Sequence, residues 1–386
     1  MSGSARSGDR SGPIGVVGGY GAVGAATARL LHGWGSPALR IGGRDVRRCQ
    51  DFVDRELGGA GTATAVDVYD DASLAAFCVG CSVVVNCAGP SYQVLDRVAV
   101  AAFAAGAHYV DPGGDQPVWR ALQDAGLPGG DRAAVLNAGL MPGYTALLPL
   151  GLARSEFVHA THLRAYAGLV DRMTPAGAAE YLLSLGGGHG EPQAAWRAGA
   201  KAHRVLEPLS DVDVPYFPGR VDAHPFLSVE TEWLAGRLGL VELDWYNVFD
   251  GGGNVMSALS RLQGAMVGES DLDSAAAELA RAAELDLFGR EPYQVFVFAV
   301  EGMTEHGHDS RVLVLRCTDT YAITGLLAAQ ATAGVLAGDV TPGLHYAAEV
   351  VDYPSACRAL RENPAVSLLD VVSGPLVLDA VEEGAL

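Results

Sequence analysis

Between Gly18 and Gly24 the chain reads Gly-Gly-Tyr-Gly-Ala-Val-Gly, residue types at a spacing suited to holding a diphosphate. The run satisfies G-x-G-x-x-G from Gly19 and G-x-x-G-x-x-G from Gly18. Its context gives the pattern meaning, because an apolar run, Ile14 to Val17, precedes it and an Ala-rich stretch from Ala22 follows. Glycines permit a tight turn and a close backbone approach to a pyrophosphate, and Gly24 lets a helix pack on the strand. The helix opening there offers unpaired N–H groups and a positive dipole end to the phosphates. Gly18, Gly19, Tyr20, Gly21, Ala22, Val23 and Gly24 are therefore candidate dinucleotide-binding residues.

A second run, Ile41-Gly42-Gly43-Arg44-Asp45, lies where a second strand should end. At that place an acid receives the ribose 2′-hydroxyl of NAD, whereas an arginine receives the 2′-phosphate of NADP. Arg44, with Arg47 and Arg48 close behind, fits NADP, since a guanidinium binds phosphate in a bidentate manner and can stack on adenine. Asp45 keeps NAD open as the weaker fit.

If the dinucleotide carries a hydride, the protein must supply or remove one proton. Lys201, His203, His189, His224, Tyr92 and Tyr144 are the candidates. Of the 26 basic residues, Lys201 is the one lysine. A desolvated lysine is a usable acid or base, whereas arginine is not. Lys201 and His203 would share a face on a strand and diverge on a helix. For each candidate, a solvated side chain with no role is the competing reading.

The elements that must position these groups follow a βαβ rhythm in the first third of the chain. Strands are predicted at Ile14–Val17, Ala38–Ile41, Thr64–Val68, Val83–Asn86, His108–Val110 and Ala133–Leu136, and helices at Ala22–Leu31, Ala72–Phe77 and Arg97–Ala105. Such nearly uniformly apolar strands imply a parallel sheet covered on both faces. After Gly143 the runs Leu163–Ala167, Leu227–Glu232, Val241–Val248, Tyr293–Glu301 and Arg311–Cys317 alternate apolar with polar, which implies a mostly antiparallel sheet. Helical stretches Pro175–Leu185, Val255–Met266, Leu272–Leu285 and Ala322–Leu336 lie between them, with long loops at Gly186–Pro192 and Leu206–His224. The expected fold class is α/β: a dinucleotide-binding Rossmann domain at 13–143, an α+β substrate or dimerisation domain at 144–320, and a segment at 321–386 returning to the first domain.

With 26 basic and 45 acidic residues the net charge is −19, which argues against nucleic acid or an anionic membrane as a partner. No run of about 18 apolar residues free of charges and turn formers is evident, and Met1–Gly12 has no apolar h-region. A cytoplasmic location with six reduced cysteines is the expectation. Cys78 and Cys81 form a lone C-x-x-C, with neither a second pair nor a histidine cluster to complete a metal site, and no metal is expected.

The sequence resembles the saccharopine dehydrogenase-like (saccharopine reductase) oxidoreductases. The likeness rests on Gly18–Gly24, Gly42-Gly43-Arg44, Asn86-Cys87-Ala88-Gly89-Pro90, Tyr109-Val110-Asp111 to Asp115, and Ala138-Gly139-Leu140-Met141-Pro142-Gly143, with Thr341-Pro342-Gly343 to Glu349 near the end. The resemblance implies that Asn86, Ala88, Gly89 and Pro90 lie near the nicotinamide ribose and that Asp67 bonds adenine. It also implies that Asp111 and Tyr144 border the nicotinamide and the substrate. It does not carry over the substrate: Arg164, Arg197 and Arg220 form no evident carboxylate clamp. The expected activity is NADP-dependent hydride transfer to or from a C=N or C=O carbon of a small metabolite, specialised metabolism being one setting, by a homodimer. A redox-neutral cyclase or isomerase, or an NADP-sensing protein without turnover, are the alternatives.

Overall fold

The computed structural model describes residues 12–185, 189–250, 253–265 and 272–378. Residues 186–188 of the expected Gly-rich loop, and Met266, lie outside them. Contacts divide the chain into two units, residues 1–144 with 321–356 and residues 145–320 with 357–386.

The first unit is built on a seven-stranded sheet, all of whose pairs are parallel. In chain-order numbering its strands are β1 (Ile14–Val17), β2 (Leu39–Gly43), β3 (Gly61–Ala65), β4 (Val83–Asn86), β5 (His108–Val110), β6 (Ala133–Leu136) and β16 (Gly343–Tyr346). Their order is β16-β6-β5-β4-β1-β2-β3. The chain runs outward from β1 to β3, then restarts beside β1 with β4 and runs outward the other way. That reversal is a topological switch point, which opens a crevice at the carboxyl ends of β1 and β4. β1, β4 and β6 are buried at every residue, as a sheet covered on both faces requires.

The helices of this unit are α1 (Ala22–Gly33), α2 (Val46–Glu56), α3 (Asp71–Cys78), α4 (Ser91–Val94), α5 (Arg97–Ala104), α6 (Gln116–Asp124), α12 (Thr320–Ala337) and α13 (Ala347–Val350). α1 buries Gly24, Ala25, Thr27, Ala28 and Leu31, the spacing of one helical face. α2 and α6 are additions to the sequence reading. α2 buries only Cys49, Phe52 and Val53 along a charged stretch, so hydrophobicity announces it weakly. β3 lies at Gly61–Ala65, not Thr64–Val68, because this half-buried edge strand of Gly, Ala and Thr lacks the apolar signal of its neighbours.

α12 is the one helix among the described residues long and apolar enough to cross a membrane by length and composition, and it carries the turn formers Gly325 and Gly334. Its 18 residues have a mean hydropathy of 1.3. Half of that window is buried, and the helix packs on α1. A Cβ at Gly325 would come 2.7 Å from the Ala26 side chain and 2.8 Å from the Thr27 nitrogen.

The second unit opens with α7 (Tyr144–Glu156), β7 (His159–Val170), α8 (Pro175–Ser184), β8 (Gly190–Pro192), β9 (Ala195–Arg197), β10 (Ala200–Ala202) and β11 (Leu209–Asp213). It continues with β12 (Arg220–Ser228), α9 (Val229–Leu238), β13 (Glu242–Phe249), α10 (Asn254–Ala265), α11 (Leu272–Leu287), β14 (Tyr293–Thr304) and β15 (Gly307–Cys317). After α14 (Tyr353–Glu362), β17 (Val366–Ser373) ends the set. Ten strands form one sheet with a spine of β10-β9-β13-β7-β14-β15-β17. All its pairings are antiparallel except β7 with β13.

Three expectations change here. Leu227–Glu232 is not a strand: β12 ends at Ser228, whose hydroxyl accepts the Thr231 N–H at 3.2 Å and so caps α9. The expected loop Leu206–His224 contains β11 and the first half of β12. The segment 321–386 does not return whole to the first unit, because β17 pairs antiparallel along β15.

Gly325→Val tests the packed role of α12. Two methyl groups forced against α1 should destabilise the first unit by about 1–3 kcal/mol in denaturant unfolding, the usual cost of overpacking. An unchanged midpoint would mean that α12 does not pack on α1.

Candidate functional site

At the end of β1 the backbone folds back on itself tightly enough to exclude side chains. Gly18 has φ +71°, and a Cβ on it would lie 2.7 Å from the Cys87 carbonyl in the loop after β4. A Cβ on Gly24 would lie 2.3 Å from the Gly18 carbonyl. The β1 turn, the β4 loop and the first turn of α1 therefore meet backbone to backbone. Gly21 differs: its Cβ would meet only the Gly18 carbonyl, at 3.1 Å, and otherwise open space. Gly21 is also the N-cap of α1, with no side chain to receive the helix's first N–H groups. A cradle open at Gly21 and lined by helix N–H donors suits a diphosphate.

Beside it, the Tyr20 ring covers Gly43 at the end of β2, where a Cβ would clash with the ring at 2.3 Å. The Arg48 guanidinium stacks over that ring, 4.4 Å from its centroid. Asp45 is spent locally. Its carboxylate caps α2 by accepting the Arg47 and Arg48 N–H groups at 3.0 and 3.4 Å, and it sits 3.9 Å from the Arg47 guanidinium. Arg44 is exposed and, among the described residues, has no ion pair. Asp67 lies just beyond β3, where its carboxylate accepts the Tyr69 N–H at 2.9 Å.

On the other side of the switch point stands a buried polar node. Asp111, at the end of β5, is 2% exposed. Its Oδ2 accepts the Tyr109 hydroxyl at 2.5 Å and the Asn86 amide at 3.1 Å, and its Oδ1 accepts the Gly113 N–H at 2.9 Å. Asn86 in turn accepts the Ala88 N–H at 3.2 Å, holding the loop of Ala88, Gly89 and Pro90. The Asp111 carbonyl accepts the Ala138 N–H at 2.9 Å, which ties in the loop after β6. Burial pushes the Asp111 carboxyl up to about 6, against the opposing pull of its three donors. The same burial, with the adjacent carboxylate, raises the Tyr109 hydroxyl well above its usual range. The sequence reading names Tyr109 only within the family motif and gives it no role, although its place two residues before Asp111 on a strand puts both on one face.

With this geometry in view, residues 14–125 match the family model described as the saccharopine dehydrogenase NADP binding domain. That match covers the strands and helices from β1 to α6. The fold of the chain is similar to that of apo saccharopine dehydrogenase (L-Glu forming) from Saccharomyces cerevisiae, with a TM-score of 0.67 at 14% identity over 94% of this chain and 99% of that one. GenD2 from gentamicin A biosynthesis, in complex with NAD, aligns with a TM-score of 0.41 at 12% identity over 97% and 99% of the two chains. No curated protein matches the sequence.

Two of the proton-transfer candidates are held in ion pairs. Lys201, on β10, pairs with Glu232 of α9 at 2.5 Å, and the exposed His203 pairs with Glu191 of β8 at 2.7 Å. The His189 carbonyl accepts the Val229 N–H at 3.3 Å, and the His224 ring meets Phe249 edge-on. The fully buried Tyr144 donates its hydroxyl to Gln330 at 2.7 Å, which suits packing and positioning. Arg164 and Arg197 converge on one acid, Asp244, at 3.6 and 2.6 Å, and Arg220 pairs with Asp211, so these arginines answer carboxylates of the chain itself. The thiols of Cys78 and Cys81 are buried and pushed upward, Cys78 to about 12, which leaves them protonated and unreactive. Among the described residues, no group of three or more His, Cys, Asp or Glu is placed to hold a metal ion.

The Asp111 node sets a pH dependence. A carboxyl raised from 3.8 to about 6 holds its proton better folded than unfolded. The stability this contributes is full below about pH 4 and is lost as pH rises through 6. Asp111→Asn should remove on the order of 2–3 kcal/mol of that loss, read as the difference between the two proteins' unfolding free energies at pH 4.5 and 7.5. Parallel pH profiles would show that Asp111 does not titrate in this range.

Proposed function

We propose that this chain is an NADP-dependent oxidoreductase that moves a hydride to or from a C=N or C=O carbon of a small molecule. A nicotinamide dinucleotide supplies or accepts the hydride, and the residues described above hold it. Gly21 and the first turn of α1 take the pyrophosphate. The Asn86–Pro90 loop and the Asp111 node, on the β4 side of the switch point, take the nicotinamide half. Arg44 takes the 2′-phosphate.

One observation carries the choice of NADP. The single acid at the end of β2, Asp45, is occupied in capping α2, while Arg44 beside it is exposed and has no ion pair among the described residues. An NAD site needs that acid free for the ribose 2′-hydroxyl, and an NADP site needs the arginine. The stacked Tyr20 and Arg48 give the adenosine end a flat cationic wall that suits a phosphorylated ribose.

Arg44→Ala should weaken NADPH binding about 10- to 100-fold, the range for a charge-assisted contact, and leave NADH binding nearly unchanged. Gly21→Val, which fills the open side of the cradle, should abolish binding of both without unfolding the chain. Fluorescence titration at matched salt reads both variants. Equal affinity of the unmodified chain for NADPH and NADH would overturn the cofactor choice, and normal binding by Gly21→Val would overturn the site.

A further inference from the structure

We infer that the second unit carries a binding site for a small organic cation, a primary ammonium group on a short alkyl chain held between Glu242 and Glu301 on the face of the ten-stranded sheet. The inference stands apart from the dinucleotide reading and uses none of its residues.

Strand register builds the site. β13, β7 and β14 lie side by side, and His162 of β7 stands opposite Glu242 of β13 and Glu301 of β14. Two residues further along β7, Arg164 stands opposite Asp244 and Ala299. Directly opposed residues share one face of a sheet, so the two rows lie together. They line a cavity of about 160 Å³, to which Leu376, from the segment after β17, adds an apolar side chain. A cavity of about 150 Å³ takes a benzene ring, so this one has room for an amine with a short alkyl chain. A ligand can reach it from solvent, because His162, Glu242 and Glu301 are half-buried and Arg164 is exposed.

The charge left over in this cavity is negative. Arg197 and Arg164 both turn to Asp244, at 2.6 and 3.6 Å. The carboxylates of Glu242 and Glu301 have no ion pair or hydrogen bond among the described residues. The competing explanation is a cross-strand ladder in which a protonated His162 neutralises both glutamates. The histidine is engaged elsewhere. The Thr161 hydroxyl donates to the Glu301 carbonyl at 3.2 Å, so it receives the His162 Nδ1–H at 2.8 Å. That bond leaves Nε2 of the neutral ring as an acceptor. Two carboxylates and an imidazole nitrogen match the three N–H donors of an ammonium group. A bare metal ion fits less well, since among the described residues no group of three His, Cys, Asp or Glu is placed to hold one.

Calorimetric titration of n-butylamine, in its ammonium form at neutral pH, into the full-length chain tests the site, with tetramethylammonium and butyrate as comparisons. Butylammonium should saturate a single site. Tetramethylammonium has the same charge and no N–H, and should bind at least about 10-fold more weakly, the cost of losing charge-assisted hydrogen bonds. Butyrate should not bind. Glu242→Gln and Glu301→Gln should each weaken butylammonium binding by about 10-fold or more. The preference between the two cations in the unmodified chain keeps the inference testable even if a variant folds poorly. No saturable binding of butylammonium, equal binding of both cations, or undiminished binding by the folded variants would overturn the site. Dinucleotide binding is read separately, so each of these results leaves the proposed function standing.

Discussion

A carboxylate buried beneath three strand ends is the constraint on which the rest of the site depends. The loops leaving β4, β5 and β6 must turn away from a sheet with both faces covered, and their polar groups have little water to fall back on. Asp111 meets that demand from one position. It receives Asn86 from the β4 end, Gly113 from its own loop and, through its carbonyl, Ala138 from beyond β6. The desolvation cost shows in its raised pKa, and the Tyr109 hydroxyl, itself fully buried, offsets part of it. Through Asn86, this node ties the loop of Ala88, Gly89 and Pro90 to the end of β5.

On the other side of the switch point, steric exclusion replaces hydrogen bonding as the organising force. Gly18 and Gly24 let two backbones and a helix end approach within contact, and Tyr20 fills the space that Gly43 leaves. Electrostatics is local in the same region. A chain of net charge −19 gathers Arg44, Arg47 and Arg48 at one strand end, beside the positive ends of α1 and α2. Dinucleotide affinity should therefore rest on short-range contacts and not on the field of the whole protein.

How much of this was legible in the sequence depends on how strongly burial marks each element. β1, β4, β5 and β6 are read at their observed bounds because their apolar runs stand between turn formers. β3 is misplaced because an edge strand of Gly, Thr and Ala carries almost no hydrophobic contrast. The start of α9 reads as strand because Leu227–Glu232 alternates apolar with polar. Its helix is decided by a cap, Ser228 to Thr231, that periodicity does not weigh. The fingerprint and Arg44 are visible as motifs. The cap that occupies Asp45 and the pairing of Lys201 with Glu232 are not, since each needs a backbone angle or a partner brought near only by folding. The family likeness is legible through short motifs, the most specific of them within the first 145 residues, and the family model matches residues 14–125.

Hydrogen exchange followed by mass spectrometry, with and without saturating NADPH, tests most directly whether the carboxyl ends of the first unit's strands form the dinucleotide site. Slower exchange is expected in peptides covering 18–25, 43–48, 86–92, 111–115 and 137–143, with α8, α10 and α11 unchanged. Protection confined to the second unit, or none at NADPH concentrations far above those of typical dinucleotide enzymes, would contradict it.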